Sequence, residues 1–337
     1  MNSAWKNHLA AAGAVMENDC VTHFGDPAGE LRAVAQGVLV DLSHLGLLAF
    51  DGEDSPTFLQ GQTTNDVRQV GATRAQMGAL CTHQGRMLAN FLMWQRGGEY
   101  FMELPEALRA AVQKRLTMYV LRSKVKVRDA GAETVRLGVA GAAAGPALQA
   151  LFGGVPDGDF AVIEADGATL MALPGGRYEI VAEVERAVAL WAALRPACTP
   201  GGAACWEWVS VRAGVPMLLP PTQEQFTPQM ANLELLGGVS FSKGCYTGQE
   251  VVARTQHLGK VKRRLYLAHI DGTAAPQPGD ALAGTDHGMI VNVAPAPGGG
   301  FDMLAVIPVE DRAHAELRWK SADGPQLCFL DLPYPLS

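Results

Sequence analysis

The sequence predicts an α+β protein of two or three domains that closes on a small all-β domain. Three observations carry this. Strand-like runs bounded by Gly and Asn turns alternate with helix-period stretches as far as residue 213. A Pro-rich irregular stretch follows at 214–236. Beyond residue 260 the helical period disappears and short strands separated by Gly/Pro turns take over. The length of 337 residues exceeds one ordinary core.

The elements follow in order. Trp5 and Leu9 mark an N-terminal helix, too short and too soon followed by acids to be a secretory signal. An extended stretch at 38–50 carries the polar interruption Asp41-Leu-Ser-His44. Asp54 or Ser55, with Pro56 at the first helical position, starts a helix that ends near Gly61. Strands at 75–82 and 86–95 flank the turn His83-Gln-Gly85, and a third runs at 99–104. Leu108, Val112 and Leu116 recur at helical spacing from Pro105 to about Leu121, and a short strand follows at 125–128. The outline then repeats: strands at 135–140, 161–164, 169–173 and 178–182, helices at 146–152, 183–194 and 203–213. The Gly/Ala-rich run 141–145 lacks the order of a phosphate-binding loop and reads as a connection. The last domain carries strands at 263–270, 281–282, 289–293, 303–306 and 315–319.

Composition excludes several function classes. The net charge of -7 excludes a global hold on nucleic acid. No run of apolar residues is long enough to span a membrane. The six cysteines are scattered, with no metal spacing and no disulfide pattern, so five read as buried thiols and the expected location is cytoplasmic.

The chemistry concentrates in Lys243-Gly-Cys-Tyr-Thr-Gly-Gln-Glu250. Gly244 and Gly248 allow a bend or a close approach. In extended backbone Lys243 and Cys245 face one side, where an ammonium would favour the thiolate. Tyr246, Gln249 and Glu250 offer an aromatic face, an amide and a carboxylate to a flat heterocycle. The plainer reading is a turn with a buried Cys and a helix starting at Glu250. Behind it, Arg254, Lys260, Lys262, Arg263 and Arg264 form a basic run, either a site for a carboxylate tail or a solvated strand face.

The stretch from Pro228 to Arg254, which includes Asn232-Leu-Glu-Leu-Leu-Gly-Gly238 and the eight residues above, resembles the signature of the YgfZ family. Asp41-Leu-Ser-His44, Phe58-Leu-Gln-Gly-Gln-Thr-Thr-Asn-Asp-Val67 and Gln84-Gly-Arg-Met87 agree with it. That family is related to the glycine-cleavage T-protein, an aminomethyltransferase. The resemblance implies a T-protein-like, three-lobed arrangement around a central channel: two α/β lobes with antiparallel sheets and a small C-terminal β-barrel. The expected divisions are a lead-in at 1–37, a first lobe at 38–130, a second at 131–258 and the all-β domain at 259–337. The resemblance also implies tetrahydrofolate, or a one-carbon derivative, as cofactor. The expected partners are iron–sulfur enzymes, including tRNA-modifying ones, met transiently and without direct nucleic-acid binding. Cys245 and Lys243 become the catalytic candidates. Tyr246, Gln249, Glu250, Arg254, Asn65, Asn90 and Arg212 become the folate-binding ones. T-proteins carry a carboxylate where this chain has Asn90, and a Glu where it has Arg212. Both departures weigh against glycine cleavage, leaving an accessory factor, another one-carbon transferase or a docking module.

Overall fold

A computed structural model describes residues 1–257, 259–314 and 316–336. Two large, mainly antiparallel sheets and one smaller antiparallel sheet organise it. The first lobe holds five strands in the order Gln76–Cys81, Met87–Arg96, Glu99–Pro105, Leu45–Asp51, Lys126–Asp129. Alternation along them is weak because both faces are covered. Helix Glu106–Val120 packs Leu108, Val112 and Leu116 against this sheet, as their spacing predicts. Helix Ser55–Gln62 has Pro56 in its first turn, but Asp54 makes no side-chain cap. Its carboxylate accepts the Lys124 N–H instead.

The second lobe holds six strands: Val162–Ala165, Ala168–Leu173, Arg177–Ala182, Val135–Ala140, Val38–Asp41 and Thr199–Gly201. The last pair is parallel. One face of this sheet, with Leu39, Leu137, Val139, Leu170 and Ile180, packs under helices Ser3–Ala11, Ala144–Phe152 and Val184–Leu194. Trp5 meets Trp191 edge-on at 5.6 Å and donates its indole N–H to the buried carboxylate of Asp41 at 2.7 Å. The opposite face turns toward the first lobe.

The expected break at residue 38 differs from this pairing. Strand Val38–Asp41 lies beside Val135–Ala140, and the chain enters the first sheet only at Leu45. The lead-in also holds more order than a single helix. Strands Val15–Glu17 and Cys20–His23 form a ribbon, and Asp26 caps helix Pro27–Ala33.

The C-terminal domain pairs Met289–Pro295, Phe301–Pro308, Arg263–Ile270 and Cys328–Leu330 in one antiparallel sheet. A ribbon of Leu282–Ala283 with Arg318–Trp319 joins its edge through the Ala281–Met289 bridge. On its other side the ribbon meets the residues that lead into Cys328–Leu330, through the Arg318–Gln326 bridge and the Leu327 N–H to Leu317 O bond. The strand expected at 315–319 begins at Arg318, and Ala315 lies outside the described residues.

Segment 214–236 is fastened on both sides despite its irregular backbone. The Asn90 amide donates to Pro216 O at 2.7 Å and accepts from Leu218 N at 2.8 Å. From the C-terminal domain the Asn292 amide donates to Met217 O at 2.7 Å and accepts from Met217 N at 2.8 Å. Two side chains thus replace two neighbouring strands and join three parts of the molecule.

Candidate functional site

Two places gather the polar groups. The first is the segment at 243–250. Lys243 is buried, and its ammonium donates to Gln60 O at 2.7 Å, Thr63 O at 2.6 Å and Asn65 O at 2.7 Å. All three of its N–H groups are committed to carbonyls at the end of helix Ser55–Gln62 and just beyond. Burial lowers its pKa to about 8, against the pull of Asp66. Tyr246 lies buried with Lys243 Nζ 5.2 Å from its ring centre. Cys245 stands exposed. The expectation that Lys243 and Cys245 share one side is therefore corrected: the lysine runs into the first lobe and the thiol faces solvent.

The signature stretches explain one another by contact. Thr64 Oγ donates to Gly238 O at 2.7 Å, and Asn65 donates to Met77 O and Gly237 O at 2.8 and 2.6 Å. Gly248 takes φ +86°, and a Cβ there would meet Thr82 O at 2.4 Å, so the segment lies tightly against the turn at 82–85. A helix then starts at Gln249, one residue before the expected place, and Glu250 pairs with Arg254 at 2.8 Å on its exposed face. The basic run disperses. Arg264 is buried against Glu234, and Arg254 is the partner of Glu250. Of the cysteines, Cys328 is exposed and Cys20 half-buried, where burial was expected.

The second place is a small cavity of about 70 Å³ between the two large lobes. Its walls include Met77, Leu92, Leu104, Phe160, Leu173 and Trp206. Among these apolar groups sit Glu103, Arg177 and Glu179, all buried. Arg136 grips Glu103 at 2.5 Å and donates to Leu45 O at 2.7 Å. Arg177 donates to Pro174 O and to Ser210 Oγ, at 2.9 and 2.8 Å, beneath the Trp206 ring. Glu179 is fully buried and neither carboxylate oxygen has a hydrogen-bond partner. Burial raises its pKa well above the usual carboxylate range and nearby Glu103 raises it further, while Arg136 and Arg177 oppose. A buried, unsatisfied carboxyl costs several kcal/mol, roughly, unless a ligand completes it.

Of the nine residues singled out in the sequence, Asn90 alone lines this cavity. Its amide is already engaged by the Pro-rich segment. Arg212 sits elsewhere, 3.6 Å from Asp302. Glu103, Arg177 and Glu179 were not anticipated. A signal exists: Arg177 and Glu179 are two apart in a strand and so share a face, with charges set among apolar neighbours.

With this geometry in hand, likeness to known proteins is informative. The GCVT N-terminal domain family matches residues 1–240. The tRNA-modifying protein YgfZ of Klebsiella pneumoniae (strain 342) is 35% identical over 246 residues, 72% of this chain and 75% of that protein. The protein of the same name from Pectobacterium carotovorum subsp. carotovorum (strain PC1) is 32% identical over 307 residues, 89% and 92% of the two chains. The chain belongs to the YgfZ family. Among solved structures, the glycine cleavage system aminomethyltransferase T from Bartonella henselae aligns over 99% of this chain and 97% of that one, with a TM-score of 0.79 and 16% identity. That likeness shows a shared T-protein fold. Within the YgfZ family fold, the signature segment and the inter-lobe cavity are separate places, joined through the first sheet, whose strands carry Met77 and Asn90.

Proposed function

We propose that this chain holds a reduced folate between its two large lobes and, with the exposed thiol of Cys245, supports iron–sulfur enzymes that include tRNA-modifying ones. The single observation that carries the ligand half is Glu179. Burial and Glu103 hold the free Glu179 carboxyl toward its neutral form; two adjacent N–H donors on a ligand would satisfy both unpartnered oxygens and favour the ionised form. The amino-pyrimidinone edge of a pterin presents that pair. Trp206 offers an aromatic wall, and Arg177 a nearby positive charge held by Pro174 and Ser210. Bound there, a tetrahydrofolate would supply a carrier for one-carbon groups.

The GCVT family membership and the T-protein fold support folate as the ligand class. The relatives' name, tRNA-modifying protein, supports the client class. Transfer of an aminomethyl group draws no support from Asn90, whose amide is committed to backbone.

The test uses a bacterium deprived of its own YgfZ protein. Nucleoside mass spectrometry of its tRNA should show modification restored by this chain. Cys245→Ala and Glu179→Gln should each fail to restore it while accumulating to the normal level. Full restoration by both variants removes the proposal.

A further inference from the structure

Among the described residues five large apolar side chains stand exposed, and three of them are neighbours: Met118, Tyr119 and Leu121, at 61%, 40% and 87% exposure. They cluster at the end of helix Glu106–Val120. Leu121 follows the helix with φ +48°, a region that L side chains enter at a cost of roughly 1–3 kcal/mol. Glycine or asparagine is the ordinary choice there. A leucine that is strained and also exposed gains nothing for the isolated fold.

Tyr119 and Leu121 border an open groove of about 900 Å³, whose other wall is Phe58, Gly61 and Gln62 of helix Ser55–Gln62. The rim is positive. Lys114 lies one helical turn before Met118, and the Arg115 guanidinium sits 5.5 Å from the Tyr119 ring centre. Arg122 is exposed, and neither it nor Lys114 has an acidic partner among the described residues. Glu53 pairs with Lys124, and Asp54, which accepts the Lys124 backbone N–H, is the one acid among the groove's lining residues. An unpaired basic rim is conspicuous on a chain of net charge -7.

We propose that this groove docks an acidic segment of a partner protein that inserts apolar side chains beside Tyr119 and Leu121. Charge complementarity selects the acidic partner, and exposed Tyr119 and Leu121 supply the anchor sites. The position is consistent with a client surface. Gln60 and Thr63, whose carbonyls hold Lys243, adjoin the groove, and the exposed Cys245 is two residues beyond Lys243. The inference stands apart from the folate cavity, which none of these residues lines.

The test is fluorescence anisotropy with a labelled amphipathic peptide of about sixteen residues, leucines at helical i, i+3, i+4, i+7 spacing and glutamates elsewhere. The intact chain should bind it saturably, with affinity falling as salt rises. A peptide with lysine in place of glutamate should not bind. The double variant Leu121→Glu, Arg122→Glu should weaken binding about tenfold or more, with its melting temperature and its folate titration unchanged. Four results overturn the proposal: no binding of the acidic peptide, equal binding of the lysine peptide, full binding by the double variant, or preferential binding to phosphatidylserine vesicles.

Discussion

Lys243 shows how one residue can be conspicuous in a sequence for a reason other than reactivity. Its spacing from Cys245 reads as thiolate activation, but spacing cannot tell which way a long side chain turns. Three carbonyls at 2.6 to 2.7 Å turn it inward. Glu179 shows the converse. In the sequence its one signal is a charge two residues from Arg177 within a strand, and the cavity it lines is completed only by the first lobe. His44 offers a test at this scale. Burial, with Arg136 adding to it and the Asp41 backbone opposing, lowers its pKa to about 4. Its unfolded counterpart titrates near ~6.5. Between these values the unfolded chain takes up a proton that the folded chain refuses. The stability present above pH ~6.5 is therefore lost as pH falls toward 4, by up to ~3 kcal/mol. Urea unfolding across that range should show a steeper loss for the native chain than for His44→Phe. Parallel curves would remove the histidine from the account.

Elements were legible where local chemistry decides them. The hairpin around His83-Gln-Gly85 and the 3.6-residue period of helix Glu106–Val120 are examples. Elements made by distant partners were not. Strand Thr199–Gly201 exists because Val38–Val40 lies beside it, a pairing about 160 residues long in sequence. The Pro-rich segment is the extreme case, since its partners are the side chains of Asn90 and Asn292. This gives Asn90 a defined test. Asn90→Asp restores the carboxylate of the transferases by sequence, yet here it sets an acceptor against Pro216 O in a buried place. A loss of ~2–4 kcal/mol is expected in chemical denaturation. Unchanged stability would mean that the clamp carries no energy.

At the scale of the whole molecule, a ligand that touches both large lobes should bind only their assembled form. Tetrahydrofolate at about a hundred times its Kd would then add ~2.7 kcal/mol of stability, visible as a rise in Tm. Family and three-lobed fold were legible from the signature stretches because they are the contacts that fasten lobe to lobe, as Thr64 with Gly238 and Asn65 with Gly237 show. The ligand's own contacts were not legible, because they come from both sheets at once. The most direct measurement is calorimetric titration of tetrahydrofolate into the native chain, Glu179→Gln and Cys245→Ala. The native chain and Cys245→Ala should bind alike, and Glu179→Gln should lose about tenfold or more, the worth of hydrogen bonds to a charged group. Equal affinity in Glu179→Gln, or loss confined to Cys245→Ala, would contradict the inter-lobe cavity as the folate site.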